Sequence, residues 1–256
     1  YSRMFDLPIM THCEDRSLSG KGVMNEGYTA SCLGLSGMPR EAEELQVARN
    51  ILLAEITGAR LHIAHVSTGG SVRMVRDAKK RGLQVTCETC PHYFALTEEA
   101  VEDYNTFAKV NPPLRTQEDV EAILEGIADG TIDAIASGHS PTSRTDKDKE
   151  FGNAAYGISA LETAFPISFT KLVETGIISL ARLVELMSKK PAEILKLEQK
   201  GEIAVGKDAD LIVIETKGTQ IIEPELFASK AKFSPFAGQE VKGKVIYTIV
   251  GGKIVS

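Results

Sequence analysis

The 256 residues carry 29 Lys and Arg against 35 Asp and Glu, a net charge of −6 at pH 7, with 43% hydrophobic and 6% aromatic content. The basic residues are scattered rather than gathered in a stripe, which argues against a nucleic-acid partner, because phosphate binding needs concentrated positive charge. No run approaches the ~18 consecutive apolar residues of a membrane span, and no signal-peptide pattern is present. Four cysteines, Cys13, Cys32, Cys87 and Cys90, make no disulfide framework in a chain this long, so a reducing cytoplasm is the expected home. The opening Tyr1-Ser2-Arg3-Met4 lacks an initiator Met and runs almost at once into a buried-strand pattern, which reads as an interior cut.

Taken in chain order, apolar runs alternate with amphipathic stretches. Leu7 to His12 reads as a strand. Arg40 to Thr57 follows as a helix, with Leu45, Ala48, Ile51, Leu52 and Ile56 on one stripe. Leu61 to Ser67 is a second strand, Ser71 to Lys80 a helix stopped at Gly82, and Leu83 to Thr89 a third strand. A Thr-x-x-Asp cap predicts a helix over Thr116 to Ala128, and Ile132 to Ser137 is a fourth strand. Helices over Ser159 to Glu174 and Ser179 to Leu197 complete this part. Strands alternating with helices, apolar on both faces, predict an α/β fold with parallel βα units. Only four units fit before residue 200, and a closed (β/α)₈ barrel needs eight. The expectation is half a TIM-type barrel over residues 1–198. Short strands and turns over 199–256 then form part of a small β appendage.

Chemistry in such a barrel sits at the carboxyl ends of the strands. His12, His65, Glu88 with His92, and Gly138 with His139 all fall there. Side-chain alternation puts His65 on the face of Ile63 and turns His62 away, so His62 reads as a structural histidine beneath a helix. His12 and His65 are candidate metal ligands, since imidazole suits zinc, although two histidines on separate strands are a weak signal by spacing alone. His92 is either a surface residue or a hydrogen-bond partner behind such a site. Cys87-Glu-Thr-Cys90 lacks a second cysteine pair and lies along a strand, so it reads as two packed thiols. Lys109-Val-Asn-Pro-Pro-Leu-Arg115 fixes the Asn111 amide, which suits recognition of a cyclic amide or serves only as a rigid turn. Backbone around Asn153 to Ile158 could line a pocket, and the charge-rich Arg144 to Glu150 reads as a solvated loop.

Together these strings resemble the class I dihydroorotase family of the amidohydrolase superfamily. The resemblance is carried by PIMTHCED (8–15), the run around Val23 to Gly27, EAEELQVARNILLAEITGARLHIAHVST (41–68), TCETCPHYFALT (86–97), KVNPPLR (109–115), DGTIDAIAS (129–137) and GISALETAFP (157–166). GKDADLIVI and KGKVIYTIVGGKIV extend it through the tail. Hydantoinases and allantoinases share the fold, but HCED with KVNPPLR favours the dihydroorotase branch. The resemblance implies that the chain is the C-terminal half of the barrel. It implies two zinc ions that polarise a carbonyl and turn a bridging water into hydroxide, for the reversible cyclisation of N-carbamoyl-L-aspartate to L-dihydroorotate in pyrimidine synthesis. It places His12 and His65 on metal-binding positions and Asn111, Tyr156 and Gly157 on substrate-contacting ones.

Three departures accompany it. The family's first-strand His-x-His pair and adjacent Arg have no counterpart. Its Asp-His-Ala-Pro-His reads Gly138-His139-Ser140-Pro141-Thr142 here, so Gly138 stands where the metal-binding, proton-shuttling aspartate is expected. Thr142 stands where a histidine would hold the substrate carboxylate. Two imidazoles without that carboxylate imply an inert site with reduced or absent zinc. Strand alternation keeps His139 from stepping in. A non-catalytic homologue partnering aspartate carbamoyltransferase is the alternative of another class, and a hydantoinase or allantoinase the alternative substrate. The unpaired edges of half a barrel predict association with a missing half, a second copy or another chain.

Overall fold

The computed structural model describes residues 1–256. Four short strands, β1 (Ile9–Thr11), β2 (Leu61–Ile63), β3 (Val85–Thr89) and β4 (Ala134–Ile135), form one parallel sheet in the order β1-β2-β3-β4. The register aligns Thr11 with Ile63 and Ile63 with Cys87, and sets Thr89 against Ile135, so the carboxyl ends lie side by side. Helices α1 (Glu41–Thr57), α2 (Gly69–Lys80) and α3 (Gln117–Ala128) return the chain between strands. This is the βα repeat expected of half a barrel. The core lies between sheet and helices, where Val47, Ile63, Val72, Val75, Ile123, Ile127 and Ile132 are fully enclosed.

The strands are shorter than the apolar runs that announce them. Ile132 to Ser137 contributes only Ala134–Ile135 to the ladder, and the second strand stops at Ile63 because His65 takes a left-handed backbone, φ +42°. Helix α1 also departs from its predicted stripe. Its buried positions are Ala42, Glu43, Val47, Ile51 and Ala54. Leu45, Leu52 and Ile56 lie open to solvent on the other side. At α3 the predicted cap is absent, because the Thr116 hydroxyl donates to the Asp119 carboxylate at 2.9 Å instead of accepting a backbone N–H.

Helix α4 (Leu161–Ser168) runs on into a wider turn at Phe169–Val173, and helical structure from Leu180 to Leu195 widens likewise at Glu185–Lys189. The tail is an antiparallel sheet of β5 (Leu211–Ile221), β6 (Glu240–Val250) and β7 (Lys253–Ile254). It docks on the helical part at Gly243, where φ is +80° and an added Cβ would sit 2.8 Å from the Phe169 ring. Thr170 accepts from the Lys242 N–H there. No helix is long and apolar enough to cross a membrane.

Candidate active site

The strand ends deliver their polar residues to one place. His12 follows β1 directly, and the left-handed step at His65 swings its ring toward it. His12 Nδ1 and His65 Nε2 are 3.1 Å apart. Strand alternation therefore does not aim His65; the turn after β2 does, and α1 holds that turn from behind. The buried Glu43 carboxylate accepts from the Ser67 and Thr68 N–H groups and from the hydroxyls of Ser67, Thr68 and Ser71. Arg115, also buried, donates to the Ser67 hydroxyl at 3.2 Å.

On its far side His12 Nε2 meets the Glu14 carboxylate at 3.0 Å. Glu14 also accepts from Asn111 Nδ2 at 3.1 Å and from the Ser19 hydroxyl at 2.6 Å. Burial alone would raise the Glu14 carboxyl, but the hydrogen bonds from His12, Ser19 and Asn111 outweigh it and hold the group below the ordinary carboxylate range. Burial, reinforced by the neighbouring His12, lowers His65. His62 is buried, with Nδ1 2.8 Å from the Thr86 hydroxyl and Nε2 3.3 Å from a Glu88 carboxylate oxygen but without a hydrogen-bond partner. The register puts it on the strand face of Thr86 and Glu88, so it stands behind the cavity wall instead of facing away from it.

A cavity of about 470 Å³ opens here, lined by His65, Glu88, Cys90, His92, Asn111, Gly138, His139, Tyr156 and Gly157 among others. Five sequence-predicted residues therefore line one space, His12 touches it through His65, and Thr142 lies outside the lining with its hydroxyl buried and unpartnered. Gly138 has φ +64°, and an added Cβ would stand 2.5 Å from His92 Cε1 and 2.9 Å from Cys90 Sγ. Gly157 is equally confined, its missing Cβ falling 2.1 Å from the Ser140 carbonyl oxygen.

Three expectations need correcting. His139 shares the cavity wall with Gly138; the ladder ends at Ile135, so strand alternation does not govern position 139. Carboxylates are not missing, since Glu14 and Glu88 border the site, and Glu14 two positions beyond His12 was the overlooked signal. Arg144 to Glu150 is not simply solvated, because Lys147 is fully buried and donates to the Thr106 and Lys109 carbonyls at 2.9 and 3.1 Å. Lys109 is buried too, its ammonium caged by the carbonyls of Phe151, Gly152 and Ala154, and its own carbonyl accepts from Gly157 N–H at 2.9 Å. Burial pushes each lysine down to about 8. These two cations fasten the loop of Asn111 to the loop of Tyr156.

His92 proves to be buried, not superficial, at 3% exposure. Burial, then His65, lowers it to about 3. A free histidine titrates near 6.5, so the unfolded chain binds the more protons between these values. The stabilising contribution is intact above pH ~6.5 and lost as pH falls toward 3. At ~1.4 kcal/mol per unit the loss is on the order of 5 kcal/mol across the window. Urea unfolding should show His92→Phe with a shallower acid limb than the parent; parallel limbs would contradict the assignment.

Could the residues hold zinc? Two tetrahedral Zn–N bonds of about 2.05 Å put their nitrogens roughly 3.3 Å apart, close to the 3.1 Å seen between His12 and His65. The donor set stops there, as no group of three or more His, Cys, Asp or Glu side chains converges on one point. Catalytic zinc takes three protein ligands, so these residues alone do not fit it.

The amidohydrolase family model matches residues 2–255, and the chain belongs to that family, which is generally metal-dependent. Within it, the chain is 50% identical over 255 residues to a dihydroorotase of Acetivibrio thermocellus, covering 100% of this chain and 60% of that one. It is 52% identical over 254 residues to the dihydroorotase of Caldanaerobacter subterraneus, covering 99% and 58%. The chain thus spans about three fifths of the curated relatives it matches. Among solved structures, the L-hydantoinase of Arthrobacter aurescens superposes with a TM-score of 0.89 at 30% identity, covering 99% of this chain and 58% of that one. The dihydropyrimidinase of Brevibacillus agri gives 0.86 at 27%, covering 97% and 56%.

Proposed function

We propose that this chain is the C-terminal portion of a dihydroorotase-type cyclic amidohydrolase, and that its cavity takes L-dihydroorotate or ring-opened N-carbamoyl-L-aspartate without turning it over. The observation that carries the reading is the facing pair His12 and His65 at the carboxyl ends of neighbouring parallel strands, beside the bare Gly138. Identity of 50–52% to proteins named dihydroorotase, against 30% for the L-hydantoinase, favours this substrate over hydantoin.

In this reading His12 and His65 are the metal-facing residues, imidazoles of the kind zinc takes but too few by themselves to hold it. Asn111 and the backbone of Tyr156 and Gly157 face the ring. Hydrolysis must add water across a C–N bond, and Gly138 offers no group to take the water's proton. Of the bordering carboxylates, Glu14 is tied to His12, Ser19 and Asn111, while Glu88 lies against His62. The division into a barrel part, 1–198, and a β part, 199–256, belongs to the same proposal. So does coverage of the β1 edge, where Ile9 and Met10 are about half exposed, by further chain. Ring opening of L-dihydroorotate, hydantoin and allantoin should be absent with this chain, while equilibrium binding should favour L-dihydroorotate. Measurable turnover, or tighter binding of hydantoin, would overturn the proposal.

A further inference from the structure

His139 has no role in the reading above, yet its surroundings give it one. Its Nδ1 accepts the N–H groups of Ala160 and Leu161 at 3.0 and 3.3 Å, at the start of α4. No side chain of the helix's own N-cap serves those groups. The main chain on either side is also pinned, His139 N–H donating to the Ser137 hydroxyl at 3.2 Å and Ser140 N–H to the Ile158 carbonyl at 2.9 Å.

A neutral imidazole carries one proton, and a nitrogen that accepts two N–H groups cannot be the one that bears it. The proton therefore sits on Nε2. That N–H has no protein acceptor, and the ring lines the cavity. Of the neighbouring donors, the Tyr156 hydroxyl is committed to the Gly22 carbonyl at 2.9 Å, and Asn111 Nδ2 gives one of its two N–H groups to Glu14. His92 lines the same cavity at 3% exposure with Nδ1 unpartnered, an independent sign that the space is completed by a polar ligand.

We propose that His139 is a ligand-binding residue, a neutral histidine whose Nε2–H, fixed by the start of α4, donates to a carbonyl or carboxylate oxygen of a cyclic ureide. The ligand class rests on the function proposed above; the tautomer does not. Such a donor is preorganised, because the helix sets the ring's orientation and protonation before anything binds.

The test uses the full chain with ¹⁵N-labelled histidine and long-range ¹H–¹⁵N spectra near neutral pH. His139 should show a proton on Nε2 and none on Nδ1, and millimolar L-dihydroorotate or hydantoin should shift the Nε2–H. His139→Asn places an amide oxygen where Nδ1 accepts but has no distal N–H. It should unfold like the parent and bind the probe about tenfold more weakly. His139→Gln, which returns a donor near the Nε2 position, should recover part of that loss. A proton on Nδ1, unchanged binding by His139→Asn, or no probe that moves the Nε2–H would each overturn the proposal. A shift with hydantoin but not with L-dihydroorotate would remove the proposed substrate and leave the donor standing.

Discussion

Glu43→Ala should lower the unfolding free energy by about 3–5 kcal/mol, the cost of removing one partner from a buried charged network. Glu43 is 4% exposed and gathers five donors from the turn that follows β2. Its removal orphans those groups and leaves the Arg115 guanidinium, 3% exposed, without the nearby carboxylate that favours its charge. For a chain of this size each kcal/mol moves the thermal midpoint by about 2–4 °C, so a drop of roughly 6–20 °C is expected by calorimetry. The same turn holds His65 at φ +42°, a conformation that persists only when its surroundings impose it. The variant's His65 resonances should therefore broaden or move while those of His62 stay. A midpoint within a degree or two of the parent would show that the network is not what holds the turn.

Gly138→Asp, the obvious attempt to restore the expected aspartate, should fail to produce ring opening and should cost about 2–4 kcal/mol. A side chain at φ +64° is strained by on the order of 1 kcal/mol. Its Cβ would fall 2.5 Å from His92 Cε1. His92 cannot swing aside freely, being buried and packed against Tyr93 at a centroid distance of 4.2 Å, so the overpacking adds another ~1–3 kcal/mol. Gly138→Ala separates shape from charge and should show most of the same loss by urea unfolding. An aspartate variant as stable as its parent, or one that opens L-dihydroorotate, would mean the wall relaxes around the new carboxylate.

The fold was legible because burial on both faces leaves strands as apolar runs, and return helices as amphipathic ones. What the runs concealed was where pairing stops: Ala136 N–H still bonds to the Thr89 carbonyl at 2.9 Å, but Ser137, small like a strand residue, makes no further ladder. The exposed Leu45, Leu52 and Ile56 mimic a core stripe, since periodicity records an apolar face and not what covers it. In the site, His12 and His65 could be read from their places at strand ends. The Glu43 network joins groups 24 to 28 residues apart, and Lys147 finds its partners in backbone carbonyls. Neither leaves a mark in side-chain spacing. His139 was misplaced for a related reason, a strand rule applied beyond the strand.

Metal content reports on the donor count most directly. The full chain, equilibrated with excess zinc and desalted, should retain well under two ions, with any retained zinc released by His12→Ala or His65→Ala. Two ions held stoichiometrically per chain would mean that other side chains complete the coordination, and the picture of two imidazoles beside a bare glycine would be wrong.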